Sequence, residues 1–248
     1  MFKVVIPARY ASTRLPGKPL LDIAGKPMVI RVADQASKSQ ADEVVIATDF
    51  EKILAVAEQY TYAAVMTRID HASGTDRIAE VVEKMGWHDD AIVVNVQGDE
   101  PLIDPKLINE VALTLAHNHE AVMATACHPI HDEATFLNPN VVKVVMDANG
   151  NALYFSRAPI PYPRDDVYKQ AIQAYRHIGI YAYRVGFLKQ YAELTVTALE
   201  KIESLEQLRV LYHGYKIAVS VTDHAPASGV DTEQDLAMVR DLVQSSTG

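Results

Sequence analysis

The sequence predicts an α/β protein: a mostly parallel sheet with helices on both faces, joined by a smaller antiparallel part. Three observations carry that expectation. The apolar runs Val4–Ile6, Glu43–Asp49 and Asp90–Gln97 have the composition of strands buried on both faces. Helical spacing fills the segments between them, which makes the connections crossovers between parallel strands. From about residue 120 the pattern changes. Ala121–Cys127 and Val141–Met146 read as strands, and Asp147-Ala-Asn-Gly150 is a hairpin turn before Ala152–Phe155.

In chain order, Pro7 and Pro16 end the first strand and open a loop over residues 7–18. Pro27 sits at a helix start, and Met28, Val29, Val32, Ala33 and Ala36 recur at helical spacing after it. Asp49 is placed to cap a helix running to about Tyr60. Tyr62–Met66 is a short strand, and the polar loop 67–77 leads into a helix over Ile78–Lys84. The stretch 158–175, with Pro159, Pro161 and Pro163, has the character of a functional or interface loop. Arg176–Tyr183 and Lys216–Val221 are strands, with helices over 186–193 and 198–213 and from Thr232. No repeat or flexible linker interrupts the chain, so residues 1–248 read as one domain.

The charge balance, 23 basic against 32 acidic residues, gives −9 and argues against nucleic-acid or anionic-membrane partners. Residues 1–31 nevertheless hold six cations (Lys3, Arg9, Arg14, Lys18, Lys26, Arg31) and one acid, Asp22. An acidic chain with a basic first strand–loop unit fits a small anionic ligand. Cys127 is the single cysteine, so no intramolecular disulfide is expected. His117, His119, His128 and His131 lack the spacing of a zinc site. With no signal-peptide pattern and no run long enough to span a membrane, a cytoplasmic protein is expected.

The stretch Ile6–Lys18 interleaves Arg9, Arg14 and Lys18 with Ala8, Ala11, Ser12 and Gly17. At the end of a first strand, such a loop suits a polyphosphate, although its composition also fits a solvated turn. There is no GxGxxG and no GxxxxGK[ST]. The loops 7–18, 67–77 and 97–101 fall at the carboxyl ends of successive strands, where a ligand crevice forms in α/β sheets. Asp99 at that lip is suited to a hard divalent cation beside phosphates. Asp231 is either a second carboxylate for that ion or the cap of the last helix. Ser73 and Thr75, near Arg77, either read a base edge or cap a helix. His177 and Tyr181, four apart in a strand, share a face, as do Glu206 and Arg209 on a helix.

These segments resemble the 3-deoxy-manno-octulosonate (Kdo) cytidylyltransferases, the CMP-Kdo synthetases of lipopolysaccharide synthesis, over nearly the whole chain. The motifs are IPARYASTRLPGKPL (6–20), TRIDHASGTDR (67–77), VNVQGDEP (94–101), ALYFSRAPIP (152–161), RHIGIYAYR (176–184), LEQLRVL (205–211) and GVDT (229–232). The first is shared more loosely with CMP-sialic acid synthetases, and an 8-amino Kdo analogue is a neighbouring alternative substrate. The resemblance implies a Rossmann-like nucleotidyltransferase sheet, transfer of CMP from CTP to Kdo, and Mg²⁺ as cofactor. It implies that Arg9 and Lys18 hold the triphosphate with Ser12, and that Ser73, Arg77 and Gln97 surround the cytidine. Asp99 and Asp231 hold Mg²⁺ and, with Lys18, form the catalytic set. Arg157, His177, Tyr181, Glu206 and Gln207 are the sugar-side set. It also implies a homodimer, with the smaller dimerisation and sugar-binding part at about 127–185.

Overall fold

The computed structural model describes residues 1–11, 15–71, 73–165, 174–223 and 229–245. Strand β1 (Phe2–Ala8) lies between two parallel neighbours that first appear much later in the chain. It is followed by a hairpin of β2 (Asp22–Ile23) and β3 (Lys26–Pro27) and by helix α1 (Met28–Ala36). The next units are β4 (Glu43–Thr48), α2 (Glu51–Gln59), β5 (Ala63–Met66), α3 (Gly74–Met85), β6 (Ile92–Asn95) and α4 (Pro105–His117). β1 pairs in parallel with β4 and β6, so that Val4 lies opposite Val44 on one side and Val94 on the other.

The second half adds β7 (Ala121–Pro129), α5 (Glu133–Leu137), β8 (Lys143–Met146), β9 (Ala152–Ser156), β10 (Tyr175–Arg184) and α6 (Val185–Tyr191). α7 (Ala198–Glu203), α8 (Gln207–Tyr212), β11 (Lys216–Val221) and α9 (Glu233–Ser245) complete it. Among the described residues the main sheet runs β11-β7-β10-β6-β1-β4-β5. β10 is therefore not outside the parallel sheet but inside it, antiparallel to both β6 and β7.

The partners of β10 place the site. On its β6 side, Tyr181–Arg184 pair with Ile92–Asn95, whereas Tyr175 and Arg176 pair with β8. Between those two contacts β6 and β8 diverge, and the face around His177–Tyr181 opens. On its other side β10 carries an irregularity against β7: Ile178 lies opposite Ala126, and Tyr181 opposite the adjacent Thr125. An insertion of this kind bends a strand and re-aims its side chains.

Alternation along the strands divides the core in two. Val4, Ile6, Ile46 and Val94 pack with α1, α2 and α4 on one face. Val5, Val45, Val93 and Tyr183 pack with α3, α6 and α8 on the other. Each such side chain, fully buried, contributes about 1.5–3 kcal/mol. A third cluster joins Leu15, Ile23 and Met28 to Val230, Leu236 and Val239, so α9 docks on the β2–β3 hairpin. That docking brings the end of the chain to its beginning.

Four helix ends differ from the sequence expectation. α2 starts behind Phe50 with no side-chain cap, because the Asp49 carboxylate pairs with Arg77 instead. α3 begins at Gly74, where Ser73 and Asp76 form a capping box. The expected helix 198–213 is two helices, broken where Ser204 takes a left-handed conformation at φ 53°. At α9, Thr232 accepts the Asp235 N–H and returns its own N–H to the Asp235 carboxylate. Thr232, not Asp231, therefore supplies the cap. No helix among the described residues is long and apolar enough to cross a membrane.

Candidate active site

Two adjoining cavities lie at the carboxyl ends of β1 and β6. The first, of about 460 Å³, is lined by Ala8, Arg9, Ala11 and Lys18 from the β1 loop, and by Gln97, Gly98, Asp99 and Asp231. Gly17 turns this loop in a left-handed conformation (φ 66°) and leads into the short 3-10 turn Lys18–Leu20. Gly98 brings the β6 loop against β1: a Cβ there would sit 2.5 Å from the Pro7 carbonyl oxygen. Only glycine permits that approach. The Val230 N–H then donates to the Asp99 carbonyl at 2.9 Å, tying the segment before α9 to the same loop.

Those three chain segments converge on one ammonium group. Lys18 Nζ is 2.6 Å from Asp99 Oδ2 and 3.1 Å from Asp231 Oδ1. The Lys18 side chain is 13% exposed, while Asp99 and Asp231 are 35% and 49% exposed. Two carboxylates meeting a single cation form a hard oxygen donor set. Mg²⁺ typically takes one or two protein carboxylates and completes its shell with water and phosphate oxygens, so these residues fit it. Burial and the Asp99 charge beside it push the neighbouring Glu100 carboxyl up to about 7.

The second cavity, of about 430 Å³, opens where β6 and β8 separate. His177, Tyr181, Tyr183 and Tyr191 line it with Arg176, Glu206 and Gln207. Burial pushes His177 down to about 3 and raises the tyrosine hydroxyls 181, 183 and 191. Its aromatic wall is therefore neutral at ordinary pH. Thr75 donates to Glu206 Oε2 at 3.3 Å, and its hydroxyl also lies 3.4 Å from the Tyr183 hydroxyl. Burial raises the Glu206 carboxyl above its ordinary range. Behind this wall Arg209 makes two hydrogen bonds to Glu200 and stacks over the Tyr191 ring at 4.8 Å. That pair braces the helix break that presents Glu206 and Gln207.

Gly74, Gln97 and Glu206 line both cavities. The amino-terminal end of α3, favourable to anions, thus opens on their common wall. Among the described residues Asn95 Oδ1, Tyr191 OH and Gln207 Nε2 are buried without a hydrogen-bond partner, and all three residues line the second cavity. A polar atom left in that state costs about 1–3 kcal/mol, so the lining is suited to a ligand rich in hydroxyl groups.

The structure groups most of the residues singled out from the sequence. Arg9, Lys18, Ser73, Gln97, Asp99 and Asp231 line the first cavity; His177, Tyr181 and Gln207 line the second; Glu206 faces both. Ser12 lies outside the described residues. Two residues are elsewhere. Arg77 is fully buried beneath the loop, hydrogen-bonded to Asp49 Oδ2 at 2.8 Å and to the Thr67 hydroxyl, and lines neither cavity. Asp49 also accepts the Tyr10 N–H at 3.4 Å, so Arg77 is linked to the loop 7–18 through its partner. The Arg157 guanidinium donates to the carbonyls of Glu203 (2.7 Å) and Pro139 (3.1 Å) and lines neither cavity. Arg176 is the cation that lines the second cavity. It stands in RHIGIY beside His177, but an arginine at the start of a strand carries no local mark of where it points. Asn95, Asn140 and Tyr191 were equally unmarked, since nothing in sequence shows where β6 and β8 part.

A cation-lined cavity at parallel strand ends, joined through a helix amino terminus to a polyol-sized chamber, defines an α/β nucleotidyltransferase. Residues 3–217 match the cytidylyltransferase family, and the chain belongs to it. Among solved structures it resembles a CMP:2-keto-3-deoxy-manno-octonic acid synthetase complexed with CTP. The two are 42% identical with a TM-score of 0.92, over 99% of this chain and 100% of that one.

Proposed function

We propose that this cytidylyltransferase transfers CMP from CTP to the anomeric hydroxyl of Kdo, the 2-keto-3-deoxy-manno-octonic acid of its structural neighbour, for lipopolysaccharide synthesis. The observation that carries the reading is the pair of cavities sharing Gly74, Gln97 and Glu206. One side is lined with charged groups suited to a triphosphate, the other with neutral groups suited to a sugar, and the reacting atoms meet between them. The anomeric oxygen forms a bond to the α-phosphorus as the bond to the bridging oxygen of the diphosphate breaks. The proton of the anomeric hydroxyl leaves to solvent.

Arg9 and Lys18 bind the β- and γ-phosphates and stabilise charge as it develops on the departing diphosphate. Ser73 and Gln97 hold the nucleotide, and Arg77 positions the loop through Asp49. Asp99 and Asp231 hold Mg²⁺, which when bound supplies charge to the phosphoryl oxygens. Arg176 receives the sugar carboxylate, while Glu206 and Gln207 bind hydroxyl groups. Holding the anomeric oxygen in line with the leaving group then accounts for much of the acceleration. The reading gives His177 no proton-carrying role, because burial makes its imidazole a weak base. The part at about 127–185 forms a homodimer contact in this reading, and the enzyme acts in the cytoplasm.

The test is diphosphate release from CTP and Mg²⁺ with Kdo, 8-amino-Kdo or a sialic acid as separate acceptors. Release is expected with Kdo and at most marginal with the sialic acid. No release with Kdo removes the proposal.

A further inference from the structure

Thr125 is buried in β7 opposite the irregularity of β10. Because the register passes from Ile178 opposite Ala126 to Tyr181 opposite Thr125, Gly179 and Ile180 have no counterpart in β7. The Thr125 hydroxyl occupies this gap, 2.7 Å from the Ile180 carbonyl oxygen and 3.1 Å from that of Ile178. The same oxygen is 2.9 Å from His177 Nε2.

A hydroxyl has one proton to give and two lone pairs to receive with. Carbonyl oxygens only accept, so the threonine proton goes to one of them, and Ile180 is nearer. Were the proton given to Nε2 instead, both carbonyls would face an oxygen lone pair in a dry interior, where an unmade bond costs about 1–3 kcal/mol. Nε2 must therefore be the donor to Thr125, and Nδ1 carries the lone pair. Among the described residues His177 makes no other side-chain hydrogen bond. Its ring is held by the edge of Phe155 at 4.9 Å and by Tyr181 at 5.4 Å.

We propose that Thr125 is a positioning residue that locks His177 in the neutral Nε2–H tautomer, so that Nδ1 is presented to the cavity as a fixed hydrogen-bond acceptor for one hydroxyl of the sugar acid. The ligand half of this inference rests on reading the second cavity as the sugar site; the tautomer half does not. A bulge in a strand, one hydroxyl and one ring thus form a single device. It gives the strand irregularity a function: the Ile180 carbonyl, which has no counterpart in β7, decides which way the threonine proton points, and through it which ring nitrogen is bare.

The experiment is a long-range ¹H–¹⁵N correlation spectrum of histidine-labelled, substrate-free enzyme near neutral pH, with His177 assigned by its loss in His177→Gln. Wild type and Thr125→Ser are expected to show protonated Nε2 and bare Nδ1. Thr125→Val should lose the preference for that tautomer. In steady state Thr125→Val should raise KM for Kdo about tenfold, the size of one ordinary hydrogen bond, with KM for CTP held within about twofold. Thr125→Ser should restore wild-type KM. An imidazolium or an Nδ1–H tautomer in the wild type overturns the proposal without any variant, so failure of Thr125→Val to fold leaves a decisive measurement. Retention of the tautomer and of KM in a folded Thr125→Val also overturns it. A lost tautomer that raises KM for CTP alone refutes the sugar-site reading, and with it the ligand half, while the spectrum still decides the lock.

Discussion

The two cavities share a wall and are built in opposite ways. The cavity proposed for the triphosphate is charged and partly open to solvent: Lys18, Asp99 and Asp231 hold one another across three chain segments, and the carboxylates remain 35% and 49% exposed. The cavity proposed for the sugar is mostly neutral, with an imidazole pushed down to about 3 and buried polar atoms that have no hydrogen-bond partner among the described residues. The difference teaches how one active site divides two tasks. Charge that must appear on a leaving diphosphate is met by ions kept close to water, where their burial costs little. In the proposed reading, choice between similar sugars falls to unpaired hydrogen-bonding groups in a buried pocket, where a missing hydroxyl leaves such a group unsatisfied.

The largest effect should come from breaking the charged side. Asp99→Ala is expected to lower kcat by about 10²–10³-fold, the scale of losing one preorganised electrostatic contact, while the thermal transition stays near that of wild type. Diphosphate release and calorimetry check the two halves; full activity in Asp99→Ala would remove the metal assignment. Beneath that side, Asp49→Ala leaves the Arg77 side chain charged and wholly buried. Breaking such a pair costs about 3–5 kcal/mol, which urea unfolding should show as a lowered midpoint with an unchanged slope.

On the neutral side the effect is smaller and depends on pH. His177 has a folded pKa depressed from 6.5 to about 3. The unfolded chain therefore takes up a proton first as pH falls, so the contribution is fully present above 6.5 and is lost on the way down towards 3. Each pH unit in that window removes about 1.4 kcal/mol. His177→Gln should flatten the acid side of the stability profile between those values; unfolding curves at successive pH values decide, and parallel profiles would show that the imidazole titrates alike in the folded and unfolded chain.

The parallel half was legible because its strands are buried on both faces and read as continuous apolar runs. The loops at their ends then fell on one edge by topology alone. What the sequence reading missed depends on distant contacts. Asp49 looks like a cap until Arg77, 28 residues later, takes its carboxylate. Asp231 reads equally as a cap or as a second carboxylate beside Asp99 until Thr232 takes the capping role and Lys18 holds the carboxylate. β10 looks like part of an appended antiparallel unit, because nothing local shows that it enters between β6 and β7. Arg157 and Arg176 stand in equally distinctive motifs. Only the carbonyls of Glu203 and Pro139, which receive Arg157 N–H groups, distinguish it in the structure from Arg176 at the cavity.

Glu206, on the common wall, offers the most direct test of the division of labour. Steady-state rates of Glu206→Gln, with CTP and Kdo varied independently, separate the two cavities. The account predicts that KM for Kdo rises about tenfold or more, the scale of a hydrogen bond to a charged group, while KM for CTP changes by less than about twofold. An equal rise in both constants would contradict it.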